Sequence, residues 1–277
     1  MTGTGQPYER VARSYLFVPG TRPERFAKAI ASGAHAVIVD LEDAVAPADK
    51  ERAREIVASA LDAAHPLYVR INGIGTPWFD ADLALCAHPG IAGVVLPKAE
   101  DADAVAAVHA ATHGRAIVLP LIESAAGLWN ARAIAEAPGV LRLAFGSIDF
   151  QVDLGISDDD LLAYRAAIVL ASRVAGRIAP VDGVTTSIDD AALVRRDAER
   201  ARALGFGGKL CIHPAQVAIV NAAFRPTEAE VAWAERVVAA DAAAQGAAVA
   251  VDGRMVDRPV LLQARAILSE VERIPRG

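Results

Sequence analysis

The stretch VIVDLED, residues 37–43, is a short apolar run that ends in three acidic residues. Six later runs have the same form: LYVRIN (67–72), VVLPK (94–98), IVLPLIE (117–123), LRLAFGSID (141–149), IAPVD (178–182) and GKLCIHP (208–214). Continuous apolar runs are typical of parallel strands buried on both faces. Because a helical stretch follows each run, the pattern predicts an α/β fold, a (β/α)8 TIM barrel, with its chemistry at the carboxyl ends of the strands.

Length and composition agree with one barrel and a C-terminal helical extension. The chain has 277 residues, of which 53% are hydrophobic, and a full barrel needs ~250 residues. We predict a catalytic barrel domain over residues 1–224 and an extension over residues 225–277. The extension contains a capping-box start at Thr227 and a last helix from Pro259. It is too short to form its own core, so we expect it to pack on the barrel or on a neighbouring subunit.

The charge pattern excludes several classes of protein. The formal net charge is −6, and no basic run of the kind that nucleic-acid binding needs is present. No segment approaches the ~20 apolar residues of a membrane span, and the N-terminal residues lack an apolar signal core. The two cysteines, Cys86 and Cys211, have no metal-like spacing. We therefore expect a cytoplasmic protein with no membrane and no nucleic-acid partner.

Glu123 and Asp149 are the most specific pair of candidate residues, because they follow strands that are neighbours in the predicted barrel. Two carboxylates at adjacent strand ends suit Mg²⁺, which often takes one or two protein carboxylates and completes its octahedron with water and substrate oxygens. The spacing leaves two alternatives open. Each acid could cap the helix that follows it, or the two could work as an acid–base pair without a metal.

The run Asp40-Leu-Glu42-Asp43 places three acids in four positions after a strand. We assign them to the substrate-binding side of the site, where they would hold pocket cations or metal-bound waters, although a helix-capping loop has the same composition. Arg70 ends the next strand and could grip a substrate carboxylate in a bidentate fork. It could also pair with Asp40 or Glu42 at the rim. Both arrangements can coexist, because a pocket arginine needs orienting partners.

Three further residues carry weaker signals. Lys98 could form a Schiff base with a ketone, but no surrounding feature lowers its pKa, so we expect a simple cationic role. His213 has no second histidine nearby, and we expect a hydrogen-bonded rim residue and not a metal ligand. Asp257 lies close to Pro259 in the extension, and its composition alone predicts a helix N-cap.

Taken together, eight segments in order resemble the citrate lyase beta-subunit-like family of the aldolase/citrate lyase superfamily, from about Arg13 to Leu268. They are RSYLFVPG (13–20), DLEDAV (40–45), RIN (70–72), LPK (96–98), PLIES (120–124), FGSIDF with DLG (145–155), GKLCIHPAQ (208–216) and DGRMVD (252–257). Any one of these segments is weak evidence, whereas all eight in this order are specific.

The resemblance implies a Mg²⁺-dependent carbon–carbon lyase or synthase acting on a short hydroxyacyl-CoA thioester such as citryl-CoA, malyl-CoA or citramalyl-CoA. It implies that Glu123 and Asp149 hold the metal and that Arg70 binds the substrate carboxylate or thioester oxygen. Asp257, from a tail lying over a neighbour's barrel, would then handle the enolate proton. The resemblance also implies a homo-oligomer, a trimer or a hexamer.

Other activities fit the same pocket. A metal-dependent acyl-CoA thioesterase would release free thiol, and a CoA-independent pyruvate-type aldolase would need the metal pair but not Asp257. The chain could also work only inside a larger lyase complex with an acyl carrier protein. Arg22 and Arg25 are candidates for CoA contacts, with surface ion pairs as the alternative. His35 stands where the family commonly has an acid, and since it precedes strand 2 we expect it to affect stability and not chemistry.

Overall fold

Eight parallel strands close into a barrel in the computed structural model, which describes residues 12–157, 161–244 and 249–272. Each strand pairs with the next along the chain, and the last pairs with the first. The predicted TIM barrel is therefore confirmed. The strands are β1 (Ser14–Pro19), β2 (Ala36–Asp40), β3 (Leu67–Arg70), β4 (Ile91–Leu96), β5 (Ile117–Ile122), β6 (Ala144–Phe145), β7 (Val181–Asp182) and β8 (Gly208–Cys211).

Helices surround the barrel, and several begin at the capping residues that the sequence supplies. Asp101, Ser124 and Asp190 each accept a hydrogen bond from a backbone amide three residues ahead, which satisfies a donor that the first turn leaves unpaired. The helices are α1 (Phe26–Ile30), α2 (Lys50–Ala60), α3 (Phe79–Leu85), α4 (Ala102–Ala111), α5 (Ala125–Trp129), α6 (Ala131–Glu136), α7 (Ser147–Leu154), α8 (Leu162–Val174), α9 (Ala191–Ala203) and α10 (Pro214–Ala223).

Alternation along each strand divides the core into two clusters. The side chains of Ile38, Leu121, Val181 and Leu210 belong to a cluster inside the barrel. Their chain neighbours form a larger cluster between strands and helices, which includes Val39, Ile122 and Cys211. Since successive side chains of a strand point to opposite faces, the residue two positions beyond an inward-facing one is directed to the barrel mouth.

The region after β6 differs from the prediction. The run LRLAFGSID (141–149) is a strand only over Ala144–Phe145, and α7 already begins at Ser147. Residues 158–160 lie outside the described residues. The helical stretch after β5 is interrupted: α5 ends at Trp129 and α6 begins at Ala131.

A second compact unit begins, in the described part of the chain, at Arg225, while residues 12–224 form the barrel unit. It contains α11 (Glu228–Ala244), α12 (Arg258–Glu272) and the antiparallel strands β9 (Val249–Val251) and β10 (Arg254–Val256). Thr227 and Glu230 cap α11 reciprocally: each donates its backbone amide to the other's side chain, at 2.7 and 3.2 Å. This confirms the predicted capping box. Across residues 12–157, 161–244 and 249–272, no helix combines the length and hydrophobicity needed to cross a membrane.

Candidate functional site

A pocket of about 390 Å³ lies at the carboxyl ends of the barrel strands. Five ionisable residues from β2 to α7 line it and are called here the charged arc: Asp40, Asp43, Arg70, Glu123 and Asp149. Five apolar side chains from β1, β8 and the end of β7 also line it and are called here the apolar arc. Phe17 and Pro19 belong to β1, Val184 follows β7, Leu210 belongs to β8 and Ile212 follows β8. The pocket therefore brings together five of the seven residues assigned to the site from the sequence.

Glu123 follows the inward-facing Leu121 by two positions, which directs its carboxylate to the barrel mouth. The side chain is only 3% exposed. Its Oε1 accepts a hydrogen bond from the backbone amide of Lys98 at 2.8 Å. Burial, followed by the negative charges of Glu42 and Asp149, raises the pKa of Glu123 to about 8. The site thus concentrates negative charge around a carboxylate that is almost fully buried.

Gly146 makes the space that Glu123 occupies. A Cβ atom on this glycine would lie 2.3 Å from Oε2 of Glu123, well inside van der Waals contact, so the chain needs a glycine at this point. The sequence contains the glycine in the segment FGSID, but only the structure shows which side chain it accommodates.

The sequence predicts Asp149 at the end of a strand, but the structure places it in the first turn of α7. An acid in a first turn is stabilised by the helix dipole, so part of the helix-capping alternative holds for this residue. It does not hold for Glu123, because Ser124 is the residue that caps α5. Both carboxylates nevertheless line the same pocket.

Arg70 is held in place by a bidentate ion pair with Asp40. Its Nε and Nη2 donate to the two carboxylate oxygens of Asp40 at 2.7 and 2.6 Å. Its Nη1 lies 3.1 Å from Glu42 and 3.4 Å from Asp43, and the guanidinium stacks on Phe17. Although burial opposes the charge, the hydrogen bonds and charge of Asp40 raise the pKa of Arg70. The predicted rim ion pair is therefore present, and Arg70 stays cationic.

Asp40 uses both oxygens within the chain. Besides Arg70, it accepts backbone amide hydrogen bonds from Glu42 at 2.9 Å and Ala44 at 3.0 Å. These bonds shape the loop after β2 and favour a positioning role over direct substrate contact. Asp43 is the exposed member of the acidic run, and like Asp40 it lines the pocket.

Glu42 and Lys98 form an ion pair beside the pocket, with Oε1 and Nζ 2.9 Å apart. Burial raises the pKa of Glu42, against the opposing charges of Arg70 and Lys98. Burial opposes the charge of Lys98, but its hydrogen bond to Glu42 raises its pKa, so it suits a cationic role and not a Schiff-base nucleophile. Lys98 has a φ of 48°, a left-handed conformation that is rare for a residue with a side chain.

Lys50 supports this loop and was missed in the sequence. Its buried ammonium donates to the carbonyls of Leu41 and Glu42 at 2.8 and 2.7 Å and to Oδ1 of Asn72 at 2.6 Å. Burial lowers the pKa of Lys50. Since its partners are chiefly backbone carbonyls, no spacing of side chains in the sequence could have indicated this role.

Asp182 and Lys209, the ionisable residues of the β7 and β8 runs, do not reach the pocket. Each is next to an inward-facing residue, Val181 or Leu210, and so points outward. Nε of Arg165 donates to Asp182 at 2.9 Å, and Nζ of Lys209 donates to the carbonyl of Gly183 at 2.6 Å and lies 3.6 Å from Asp182. The three residues Arg165, Asp182 and Lys209 are called here the buried ion network.

The remaining predicted residues lie elsewhere. His213 caps α10, where its Nδ1 accepts from the amide of Ala215 at 3.3 Å, which confirms a hydrogen-bonded role. Asp257 belongs to the C-terminal unit and caps α12, accepting from the amide of Val260 at 3.2 Å. Arg22 is exposed and paired with Glu24. His35 accepts from the amide of Arg13 at 3.0 Å, before β2.

The pocket offers a metal a pair of carboxylates and no larger group. In the part of the chain that the structure describes, no three His, Cys, Asp or Glu side chains are grouped so as to hold a metal ion. Zinc in structural sites usually takes four protein ligands, whereas Mg²⁺ is often held by one or two carboxylates with water and substrate completing its shell. The donors present therefore match Mg²⁺.

A model of the HpcH/HpaI aldolase/citrate lyase family matches residues 13–214. The chain belongs to this family. A citrate lyase subunit beta-like protein of Deinococcus radiodurans is 41% identical to it over 277 residues, covering 93% of this chain and 96% of the relative. A (3S)-malyl-CoA thioesterase of Cereibacter sphaeroides is 37% identical and covers 95% of each chain.

Solved structures agree with this membership in the HpcH/HpaI aldolase/citrate lyase family. The CitE protein of Mycobacterium tuberculosis, crystallised with magnesium, acetoacetate and coenzyme A, is similar to this chain with a TM-score of 0.84 at 37% identity. The match covers 94% of this chain and 98% of that one. The family resemblance inferred from the eight segments is thus confirmed, and the protein is a lyase-type enzyme. Magnesium, the predicted cofactor, is the metal in the relative's complex.

Proposed function

We propose that this protein is a Mg²⁺-dependent carbon–carbon lyase that cleaves, or forms in reverse, a short hydroxyacyl-CoA thioester of the citryl-, malyl- or citramalyl-CoA type. The observation that carries the proposal is the pairing of Glu123 and Asp149 with Arg70 in one pocket at the barrel mouth. The family relationship supports the same reaction class. The reaction is a retro-Claisen cleavage or its reverse.

Glu123 and Asp149 would hold the divalent cation. Without one, the burial of Glu123 and the charges of Glu42 and Asp149 oppose ionisation of Glu123, so a cation bound by Glu123 and Asp149 would relieve an unfavourable arrangement. When bound, the cation supplies Lewis-acid polarisation of the substrate's carbonyl or hydroxyl oxygen. Glu123 is held for this task by the amide of Lys98 and by the space at Gly146.

Arg70 would stabilise the charge that develops on the thioester oxygen as the carbon–carbon bond breaks. Asp40 fixes one edge of the guanidinium, which is the preorganisation that such stabilisation requires. Glu42 and Asp43 would modulate the positive charge of the Arg70 guanidinium from its Nη1 side. In this scheme Asp40 acts on the substrate through Arg70.

Asp257 would exchange the proton at the enolate carbon, as the acid in cleavage and the base in synthesis. The same side chain also caps α12 by accepting a hydrogen bond from the amide of Val260. Asp257→Asn separates the two, because Asn caps helices as well as Asp but cannot transfer the proton. We expect unchanged thermal stability and Mg²⁺ binding, with proton exchange at the acetyl-type carbon slowed at least about 100-fold. Exchange at the normal rate would reduce Asp257 to a cap.

The lyase proposal is tested by product analysis with the purified full chain. Malyl-CoA, citramalyl-CoA and citryl-CoA are incubated with and without Mg²⁺, and acyl-CoA and keto acid are quantified together. Equal amounts of both products, dependent on Mg²⁺ and on Asp149, support the proposal. Asp153→Asn is the matched control, since Asp153 lies one turn further along α7 and bonds the amide of Ala125 outside the pocket.

A thioesterase is the second candidate, favoured by the 37% identity with the (3S)-malyl-CoA thioesterase of Cereibacter sphaeroides. The same product analysis distinguishes it, because hydrolysis releases free CoA thiol and the intact hydroxy acid and yields no keto acid. Free thiol without keto acid from any of the three thioesters would replace the lyase proposal with this one.

We also propose a cytoplasmic homo-oligomer, a trimer or a hexamer, in which Asp257 serves a neighbouring barrel. Mixing Asp257→Asn subunits with Arg70→Ala subunits tests this arrangement. If the residues come from different chains, mixed oligomers regain activity that neither variant has alone. Lack of regain in oligomers shown by mass spectrometry to be mixed would place both residues in one chain.

A further inference from the structure

The loop that joins β2 to α2 is held by two cations in different ways. Arg70 binds side chains, those of Asp40 directly before the loop and of Glu42 within it. Lys50, the first residue of α2, binds the backbone, because its Nζ donates to the carbonyls of Leu41 and Glu42. The acids near this loop thus face the pocket, while its carbonyls are fixed by Lys50, which is not among the described residues that line the pocket.

The ammonium of Lys50 uses all three of its N–H donors. Besides the two carbonyls, at 2.8 and 2.7 Å, it donates to Oδ1 of Asn72 at 2.6 Å, and the ring of Trp78 lies 5.1 Å away. Lys50 is only 6% exposed, and a buried charge without such partners is strongly unfavourable. Because its stabilisation comes from these oxygens, the ammonium keeps all of them at hydrogen-bond distance.

Asn72 connects Lys50 to the strand that carries Arg70. It lies two positions after Arg70, the last residue of β3. Its Nδ2 donates to the carbonyl of Leu41 at 3.0 Å and to Oδ2 of Asp82 at 2.6 Å. The carbonyl of Leu41 therefore accepts from both Lys50 and Asn72. The loop and β3 are thus joined twice, by the ion pair of Arg70 and by the contacts of Lys50 with Asn72.

From these contacts we infer that Lys50 is a positioning residue for the proposed reaction: it fixes the loop backbone against β3 and so sets the positions of the acids that orient Arg70. The inference rests on the proposed lyase function and adds to it a residue outside the pocket. Glu42 carries the connection, since its carbonyl binds Lys50 and its carboxylate lies against Arg70 and Lys98. A shift of its backbone is therefore passed on to both of those cations.

The effect of losing Lys50 is expected in the chemical step. Arg70 would stabilise charge that develops in the transition state, so its misplacement lowers kcat more than it raises KM. A displacement of about 1 Å can cost about 100-fold in rate. Glu123 and Asp149, the proposed ligands of the cation, come from the end of β5 and from α7, so Mg²⁺ binding should change little.

Chemical rescue of Lys50→Ala tests the inference with the purified full chain and the thioester that it cleaves fastest. We expect kcat to fall by about 100-fold, with KM and Mg²⁺ affinity within about 3-fold of the wild type. Added n-propylammonium matches the atoms removed and should raise kcat at least about 10-fold in a saturable way, whereas 1-propanol, which lacks the charge, should not. A folded Lys50→Ala variant with near-normal kcat, or one that the amine leaves unchanged, overturns the inference.

Lys209→Ala is the matched control, because Lys209 is also a buried lysine but belongs to the buried ion network. It should lose stability, keep the kcat of its folded fraction within about 3-fold of the wild type and show no response to n-propylammonium. A loss of kcat equal to that of Lys50→Ala would show that both lysines act through stability alone, which contradicts a positioning role.

Asn72→Ser takes the place of Lys50→Ala where the latter does not fold. It removes the amide that joins Lys50 to β3 and keeps the lysine itself. We expect kcat to fall by about 10-fold with Mg²⁺ affinity unchanged, a smaller effect because the two carbonyls still bind the ammonium. A kcat equal to that of the wild type in this variant would refute the inference.

Hydrogen exchange separates the inference from the lyase function. The amides of Glu42 and Ala44 donate to Asp40, so the exchange of segment 41–46, measured by mass spectrometry, reports the order of the loop. In Lys50→Ala or Asn72→Ser this segment should exchange at least about 10-fold faster than in the wild type. If the wild type cleaves no thioester, the lyase function fails and the exchange decides the positioning by itself. Unchanged exchange rejects the positioning and leaves the lyase function standing.

Discussion

The charged arc and the buried ion network both use ionisable residues at strand ends, but only the first reaches the barrel mouth. The difference is one position of register. Asp40, Arg70 and Glu123 lie two residues beyond inward-facing side chains, whereas Asp182 and Lys209 lie next to them. In the network, Asp182 faces Arg165 and Lys209 within the chain. In the arc, acids outnumber cations and lie against an open pocket.

This comparison indicates that an excess of acids beside an open pocket, and not charge as such, marks the site. A buried ion pair matched within the chain contributes to structure, and removing one partner is strongly destabilising. Glu123 is instead surrounded by further acids, and its pKa is raised to about 8 as a result of burial and of those charges. Perturbed pKa values of this kind are typical of functional sites.

The largest effect is expected from removing the metal pair. Glu123→Gln combined with Asp149→Asn should lower Mg²⁺-dependent turnover by more than about 1,000-fold, because the pocket then lacks both proposed ligands of the cation. The metal-free variant should unfold at a temperature no lower than the wild type, since the glutamine side chain keeps an acceptor for the Lys98 amide and adds no buried charge. Steady-state kinetics and calorimetry measure the two effects. Near-normal turnover without Mg²⁺ would refute the assignment.

The buried ion network should show the opposite behaviour. Asp182→Asn removes the acid that faces both Arg165 and Lys209 and should lower the free energy of unfolding by about 3–5 kcal/mol, because a buried ion pair loses one partner. The folded fraction should keep its Mg²⁺ affinity within about 3-fold, since Asp182 does not line the pocket. Urea denaturation and Mg²⁺ titration check the two values. A loss of Mg²⁺ affinity comparable with that of Asp149→Asn would contradict the distinction between the charged arc and the buried ion network.

Arg70 tests whether geometry matters beyond charge. Arg70→Lys keeps the cation but loses the planar fork that binds both oxygens of Asp40. We expect kcat/KM to fall by about 100-fold, on the scale of deleting a preorganised oxyanion donor. Arg132→Lys, in an exposed ion pair with Glu136, is the control and should change neither activity nor stability measurably. Full activity in Arg70→Lys would show that a point charge is sufficient.

The smallest expected effect is a pH dependence of stability that comes from Glu123 in the charged arc. Because burial raises the pKa of Glu123 from 4.5 to about 8, the folded protein binds more protons than the unfolded chain between these values. The metal-free protein should therefore lose stability as pH rises through this window. Mg²⁺ competes with that proton, so it should raise the melting temperature more at about pH 9 than at about pH 6. Glu123→Gln should abolish both trends, and a Mg²⁺ effect independent of pH would contradict them.

The sequence predicts the barrel and most of the arc, but not which strand ends converge. Strands buried on both faces show no alternation of polar and apolar residues, so the inward-facing positions are hidden, and a shift of one residue reverses the face. Lys209 and Glu123 thus look alike in the sequence, each as a charged residue in or after an apolar run, but Glu123 lines the pocket and Lys209 points away from it. The position of Asp149 on α7 was missed because FGSID continues an apolar run, and Lys50 was missed because it binds backbone carbonyls.

The two arcs also occupy separate stretches of the gene product. The charged arc, with the proposed ligands of the cation, comes from residues 40–149, while three of the five side chains of the apolar arc come from residues 184–212. A single recombination event between these stretches would combine one charged arc with a different apolar arc. Glu123 and Asp149 would stay together in such an exchange, while the apolar side of the pocket would change.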